Sequence, residues 1–170
     1  MPPHSEIPES NITDLAIIGG GPTGLFAAFY AGLRKMPVTL LDSLEQLGGQ
    51  LATLYSEKLI YDVPGFPQVL AKDLVASLVQ QGTQYHPNVC LGEQAVELRY
   101  DASSRLYSLR TLKATHITRA ILIAGGVGAF EPKKLPLSEA PAFEGNGLHY
   151  FVKHPEYFRG QRVLIVGGGG

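Results

Sequence analysis

The sequence predicts a doubly wound α/β fold, a parallel β-sheet flanked by helices, with a β-meander added to it. Two apolar strands, over residues 15–18 and 37–41, enclose a glycine-rich turn and an apolar helical stretch over 25–33. Continuous apolar strands of this kind are typical of a parallel sheet that is buried on both faces. In addition, an apolar strand that runs into glycines recurs at 162–170. We therefore expect more than one strand–glycine–helix unit.

The first glycine-rich turn has the spacing Gly-x-Gly-x-x-Gly, formed by Gly19, Gly21 and Gly24. These positions suit a tight turn, the close approach of a pyrophosphate, and helix-on-strand packing, in that order. The N–H groups and the positive end of the following helix would face the phosphates. Asp42 ends the second strand, where a carboxylate can accept hydrogen bonds from an adenosine ribose. Because that carboxylate would repel a 2′-phosphate, the pattern predicts FAD or NAD at this site.

The next segments change from helical to strand patterns. Residues 43–67 form a long connection without clear periodicity, and connections of that length are usually functional. The elements expected after it are a helix over 69–85, a short buried strand over 89–91, a hairpin of strands over 94–100 and 106–111, and a strand over 118–126 that reaches glycines. This order fits a β-meander that returns to the parallel sheet.

The last part of the chain is predicted to begin a second domain. Residues 128–147 are rich in proline and glycine and suggest a crossover, followed by a connecting strand over 148–152. The strand and glycines of 162–170 match the opening half of a second fingerprint. We expect a flexible tail over 1–13, a first dinucleotide-binding domain over 14–127, and a crossover with the truncated start of a second such domain over 128–170. The chain then represents part of a longer protein with two dinucleotide sites.

Composition excludes several classes of function. The net charge is −1 and only 17% of residues are charged, without a basic run interleaved with aromatics, so no nucleic-acid partner is expected. The single cysteine, Cys90, allows no internal disulfide and is expected in the core. His149 and His154 lack a third ligand, so no metal site is predicted. No secretory signal or apolar span is present, which indicates a cytoplasmic protein without membrane association.

The loop after Asp42 helps to distinguish FAD from NAD, and its residues favour FAD. Gly48 and Gly49 allow the backbone to approach a ligand, and the side chain of Gln50 both donates and accepts hydrogen bonds. Tyr55 and Tyr61 add flat surfaces with a polar tip, which suit an isoalloxazine ring. The alternative interpretation is an ordinary aromatic surface loop.

Four segments, 48–51, 54–67, 128–132 and 148–152, resemble the thioredoxin-reductase-like ferredoxin–NADP⁺ reductases. The resemblance extends over nearly the whole chain from about Asp14 onward. It implies an FAD domain that is interrupted by an NADP(H) domain, usually in a homodimer. It also implies that NADPH delivers hydride to the flavin and that electrons leave singly to a ferredoxin or a similar iron–sulfur partner.

The resemblance also implies roles for individual residues, and Gly24 completes the fingerprint. By similarity, Gly19, Gly21 and Thr23 line the pyrophosphate, Asp42 holds the ribose, Gln50 and Tyr55 contact the cofactor beside the flavin, Val96 meets the adenine through its backbone, and Phe130 lies near the ring system. Asp42 departs from the more usual glutamate. No catalytic side chain is predicted, because the flavin supplies the chemistry.

Two alternatives remain open from the sequence. A thioredoxin-reductase-like disulfide reductase would carry its Cys-x-x-Cys pair beyond Gly170. A reductase of the glutathione type is disfavoured because residues 43–67 contain no cysteine. The second alternative is a non-catalytic fragment that binds FAD weakly or not at all.

Overall fold

The computed structural model describes residues 12–128, 134–150, 152 and 155–167. The chain divides into two compact units, Met1–Ala129 and Phe130–Gly170. The first strand already begins at Ile12. It therefore includes the last two residues of the expected tail, whose other residues lie outside the described part of the chain.

The first unit contains a six-stranded sheet in the order β5-β2-β1-β8-β7-β6. Its strands are β1 (Ile12–Ile18), β2 (Val38–Leu41), β5 (Asn88–Cys90), β6 (Ala95–Asp101), β7 (Leu106–Thr111) and β8 (Thr115–Ile123). Strands β5, β2, β1 and β8 run parallel, while β6 pairs antiparallel with β7 and β7 with β8. The doubly wound α/β fold and its meander are therefore confirmed.

Helix α1 (Pro22–Leu33) and helix α3 (Ala71–Thr83) contact each other, and α1 packs on β1 and β2. Leu25 is fully buried, and it shares a core cluster with Ile17 of β1 and Leu40 of β2. Gly82 of α3 lies so close to α1 that a Cβ there would be 2.9 Å from the Leu25 carbonyl oxygen. Small residues thus allow the two helices to approach closely.

The other face of the parallel strands is covered by the meander. Leu109 of β7 is 1% exposed and forms a second core cluster with Ala16 of β1 and Leu41 of β2. Consecutive residues of β1, Ala16 and Ile17, therefore point into opposite clusters, as the two-residue period of a strand requires. This explains why residues 15–18 of the strand are apolar without interruption.

The long connection after Asp42 contains more structure than its sequence predicts. It holds a short helix, α2 (Gly49–Thr53), and a strand β3 (Leu59–Ile60) that pairs antiparallel with β4 (Val69–Leu70). The helix expected over 69–85 therefore begins only at Ala71, because Val69 and Leu70 pair with a distant segment instead. The Ala71 N–H donates to the Lys58 carbonyl oxygen at 2.9 Å, which closes this small hairpin.

The second unit contains a short helix α4 (Ala140–Phe143) and a 3₁₀-helix (Pro155–Phe158). The strand expected over 148–152 is wrong for its described part, since Leu148 forms only one isolated bridge, to Glu144. The strand expected at 162–166 is also absent from the described residues. Leu164 is 88% exposed. A strand requires a hydrogen-bonded neighbour, and no described segment supplies one there.

Among the described residues, no helix has the length and apolar character that crossing a membrane requires.

Candidate dinucleotide-binding site

The glycine turn joins β1 to α1 at the carboxyl end of the parallel strands. Gly19 has φ = +112°, a conformation that L-residues rarely adopt, and a Cβ there would overlap the Ala124 carbonyl oxygen at the end of β8. Gly24 lies one turn into α1, where a Cβ would overlap the Gly19 carbonyl oxygen. The first and third glycines are therefore required by the packing of the chain itself.

The middle glycine, Gly21, differs from Gly19 and Gly24 in the space available for a Cβ. Gly21 is the N-cap of α1 with φ = −75°, and a Cβ there would have only the Gly49 Cα near it, at 3.8 Å. No side chain caps the first turn of α1, so its N–H groups receive no side-chain acceptor. The position of a Gly21 Cβ is therefore open, in contrast to those at Gly19 and Gly24, while Gly49 lies so close that its own Cβ would be 2.9 Å from the Gly21 Cα.

Asp42 lies beside the glycine turn and is only 9% exposed. Its Oδ2 accepts a hydrogen bond from the Gly20 N–H at 2.6 Å, and its Oδ1 accepts one from the Leu44 N–H at 2.8 Å. An ionised carboxylate offers about four acceptor positions. Asp42 therefore helps to hold the glycine turn in place, a role that the sequence analysis missed, and it retains acceptor capacity for a ribose.

The loop after Asp42 returns to the same turn. The Gly48 N–H donates to the Gly20 carbonyl oxygen at 2.8 Å, and Gly48 has φ = +109°. Gln50 follows in α2, and its Nε2 would be 3.3 Å from a Cβ on Gly126, after β8. The structure thus brings Gln50 to the edge of the sheet that carries the glycine turn.

The other predicted site residues are less constrained by the structure. Thr23 is exposed in α1, and Tyr55 is 41% exposed with the Lys58 ammonium 5.2 Å from its ring centroid. Val96 is 42% exposed in β6. Phe130 lies outside the described residues. The contacts that hold the turn therefore involve Gly19, Gly24 and Asp42, while the roles of the other residues remain predictions.

A reactive cysteine is not supported by the environment of Cys90. Burial raises the pKa of the Cys90 thiol, and the nearby Glu93 carboxylate raises it further. The reactive form of cysteine is the thiolate. Cys90 is only partly buried, and it packs against the Ala16 and Leu41 cluster instead of forming part of the core as expected.

Comparison with known proteins identifies a family model and relatives that are similar to this chain. A family model described as an NAD(P)-binding Rossmann-like domain matches residues 17–72, which include the glycine turn and Asp42. Ferredoxin–NADP reductase 2 of Listeria monocytogenes is 50% identical over 163 residues, covering 95% of this chain and 48% of that protein. Ferredoxin–NADP reductase of Geobacillus thermodenitrificans is 47% identical over 161 residues, with the same coverage of both chains.

The likeness to solved structures concerns the fold alone. Thioredoxin reductase from T. acidophilum superimposes with a TM-score of 0.63 at 20% identity, covering 81% of this chain and 42% of that one. The chain spans about half the length of the curated relatives that it matches.

Proposed function

Because this chain is a homologue of the ferredoxin–NADP reductases, we propose that it provides the FAD-binding part of an oxidoreductase that passes electrons between NADPH and a ferredoxin-type acceptor. The geometry that supports FAD binding is the open backbone at Gly21, between two glycines that are closed by packing. The space beside Gly21 that a Cβ would occupy is open to a phosphate of the cofactor.

We assign the binding roles as follows. Gly19, Gly21 and Thr23 surround the pyrophosphate, Asp42 accepts hydrogen bonds from the ribose, Gln50 and Tyr55 lie beside the flavin, Val96 meets the adenine through its backbone, and Phe130 lies near the ring system. The support is strongest for Asp42, because its two backbone donors orient the carboxylate at the turn.

The FAD, when bound, supplies the redox chemistry. The residues of this chain then bind and orient it. The first-turn N–H groups of α1 offset the charge of the phosphates, and Asp42 fixes the adenosine end. Gln50 offers an amide that donates and accepts near the reactive end. No acid or base from this chain is required.

The remaining parts of the function belong to the longer protein. We propose that NADP(H) binds to a second domain, that ferredoxin or a similar small redox protein is the partner, and that the protein acts as a homodimer in the cytoplasm. The names of the homologous reductases support the first two statements. The alternative of a thioredoxin-reductase-like disulfide reductase is less well supported, since the similarity to thioredoxin reductases establishes only the fold.

The proposal is tested by the flavin content of the purified chain. We expect FAD added to the chain to co-elute with it in gel filtration and to show a flavin absorption band. Gly21→Val would place a side chain in the phosphate approach and is expected to abolish this co-elution. Ala102→Val, in the exposed hairpin turn, is the matched control and should retain FAD.

Two outcomes would contradict the proposal. One is a chain that binds NAD but no FAD, which would assign a different cofactor to the site. The other is equal FAD retention by the Gly21→Val and unmodified chains, which would place the phosphates elsewhere. A folded chain that takes up neither dinucleotide would favour the non-catalytic fragment.

A further inference from the structure

Cys90, Glu93 and His116 bring three metal-ligating side chains together in the first unit. The Cys90 Sγ, a Glu93 carboxylate oxygen and a His116 ring nitrogen all lie within 4.8 Å of one another. His116 Nε2 is 2.9 Å from Glu93 Oε2. Cys90 ends β5, Glu93 lies in the loop before β6, and His116 is in β8. The cluster therefore joins an edge strand of the parallel sheet to the meander.

We propose that these three side chains bind one divalent cation of the zinc class. Thiolate, imidazole and carboxylate are all ligands of Zn²⁺, with metal–ligand distances of about 2.0–2.3 Å. In a tetrahedral site these distances place the ligand atoms roughly 3.3–3.6 Å apart. The observed separations of 2.9 Å to at most 4.8 Å reach that arrangement by side-chain adjustments of about 1 Å. The fourth position is left for water.

Neighbouring groups contact two of these ligands, Glu93 and Cys90. The Thr111 hydroxyl donates a hydrogen bond to Glu93 Oε2 at 2.8 Å, and the Asn88 amide nitrogen lies 3.6 Å from the Cys90 sulfur. The side chains of Glu93 and His116 are only 13% and 15% exposed. Partners of this kind fix the orientation of metal ligands in known sites and contribute to their affinity. The cluster thus has the supporting contacts of a metal site as well as its ligands.

The charge of the cluster suits a dication. On binding, the Cys90 thiol loses its proton to solvent as the sulfur–metal bond forms, and the thiolate and the Glu93 carboxylate together balance two positive charges. Lys113 is the nearby cation, and its ammonium group donates to the Leu91 carbonyl oxygen at 3.1 Å.

Cobalt binding tests the proposal directly. Titration of the metal-free chain with Co²⁺ is expected to produce a near-ultraviolet thiolate-to-cobalt band that saturates at one ion per chain and that added Zn²⁺ removes. Cys90→Ser should lose this band, and Thr111→Val should weaken cobalt binding about tenfold by removing the hydrogen bond to Glu93. His149→Gln changes a histidine of the second unit and should leave the titration unchanged.

A second measurement needs no variant and is therefore independent of folding defects. At an alkaline pH that ionises the thiol, alkylation of Cys90 by iodoacetamide in the unmodified chain should slow when Zn²⁺ is present and should not respond to Mg²⁺. Cobalt binding without the thiolate band would overturn the proposal, and so would an alkylation rate that Zn²⁺ leaves unchanged. In either case Cys90 would not be a metal ligand, and the three side chains would not form the proposed site.

Discussion

Replacement of Gly24 by alanine is expected to destabilise the chain, even though alanine favours helix formation. Gly24 lies in α1, where a Cβ would overlap the Gly19 carbonyl oxygen and lie 3.0 Å from the Gly19 carbonyl carbon. Both atoms belong to the backbone, so the rotation of a side chain cannot relieve the overlap. Gly19 is also confined on its other side by Ala124. The glycine turn and α1 must therefore separate to accommodate the methyl group.

The size of the effect follows from two opposing contributions. Overpacking typically costs about 1–3 kcal/mol, and the upper end applies here because a backbone turn has to move. The helix propensity of alanine over glycine returns about 1 kcal/mol. The free energy of unfolding should therefore fall by about 2 kcal/mol. With a urea dependence of about 2 kcal/mol per molar, the midpoint of unfolding should fall by about 1 M.

Urea unfolding followed by far-ultraviolet circular dichroism measures this change. Gly21→Ala is the matched control, because its φ of −75° and its nearest contact of 3.8 Å accept a methyl group. Its free energy of unfolding should stay within about 0.5 kcal/mol of the unmodified chain. The reasoning would be refuted if Gly24→Ala left the midpoint unchanged, or if both variants lowered it equally.

Three further predictions concern the core, the turn and the hairpin. Leu109→Ala should lower the free energy of unfolding by about 2–5 kcal/mol, since Leu109 is 1% exposed and packs in a core cluster with Ala16 and Leu41. Asp42→Asn should cost about 1–3 kcal/mol in the same measurement, because an amide N–H₂ then faces a backbone donor such as the Gly20 N–H. Hydrogen bonds from Ser104, which has the larger effect, and from Ser103 lower the pKa of Asp101 to about 2. Its folded-state pKa is thus below the unfolded value, so its stabilising contribution is complete above the ordinary pKa of 3.8 and is lost as the pH falls through about 2.

Each of these predictions has its own check. Leu112→Ala, at a residue 68% exposed, should have little effect, and an equal loss there would contradict the core argument. Asp62→Asn changes an exposed carboxylate and is the control for Asp42. The pKa of Asp101 can be followed by the NMR chemical shift of its carboxyl carbon, and Ser104→Ala should raise this pKa. An Asp101 carboxyl that titrates at its ordinary value in the unmodified chain would refute that assignment.

Local patterns in the sequence were sufficient to predict the parallel core. The apolar run through Ala16 and Ile17, the glycine turn and the helix after it are each specified by neighbouring residues. Strand β4 was missed because Val69 and Leu70 continue a helical pattern, while their actual partners are Leu59 and Ile60. Pairing with a distant segment is not visible in the periodicity of one segment.

Two further differences have the same physical origin. Residues 162–166 have a strand-like sequence, but a strand forms only where a neighbour accepts its hydrogen bonds. The cluster of Cys90, Glu93 and His116 combines residues from two strands and a loop, and no local motif joins them. Similarly, the hydrogen bond from the Gly20 N–H to Asp42 depends on the adjacency of β1 and β2. The sequence therefore predicts elements better than it predicts the contacts between them.

The position of β1 in the sheet has a consequence for the folding kinetics of the chain. One of its neighbours, β2, follows closely in the sequence, but the other, β8, holds Thr118, which is 105 residues after Thr13. At a synthesis rate of about 5–20 residues per second, the second edge of β1 stays unpaired for roughly 5–20 s. Contacts of such large sequence separation also slow refolding. During synthesis, a strand with four consecutive apolar residues (15–18) therefore presents an open edge, and the risk of misassembly is greatest before the ribosome has released β8.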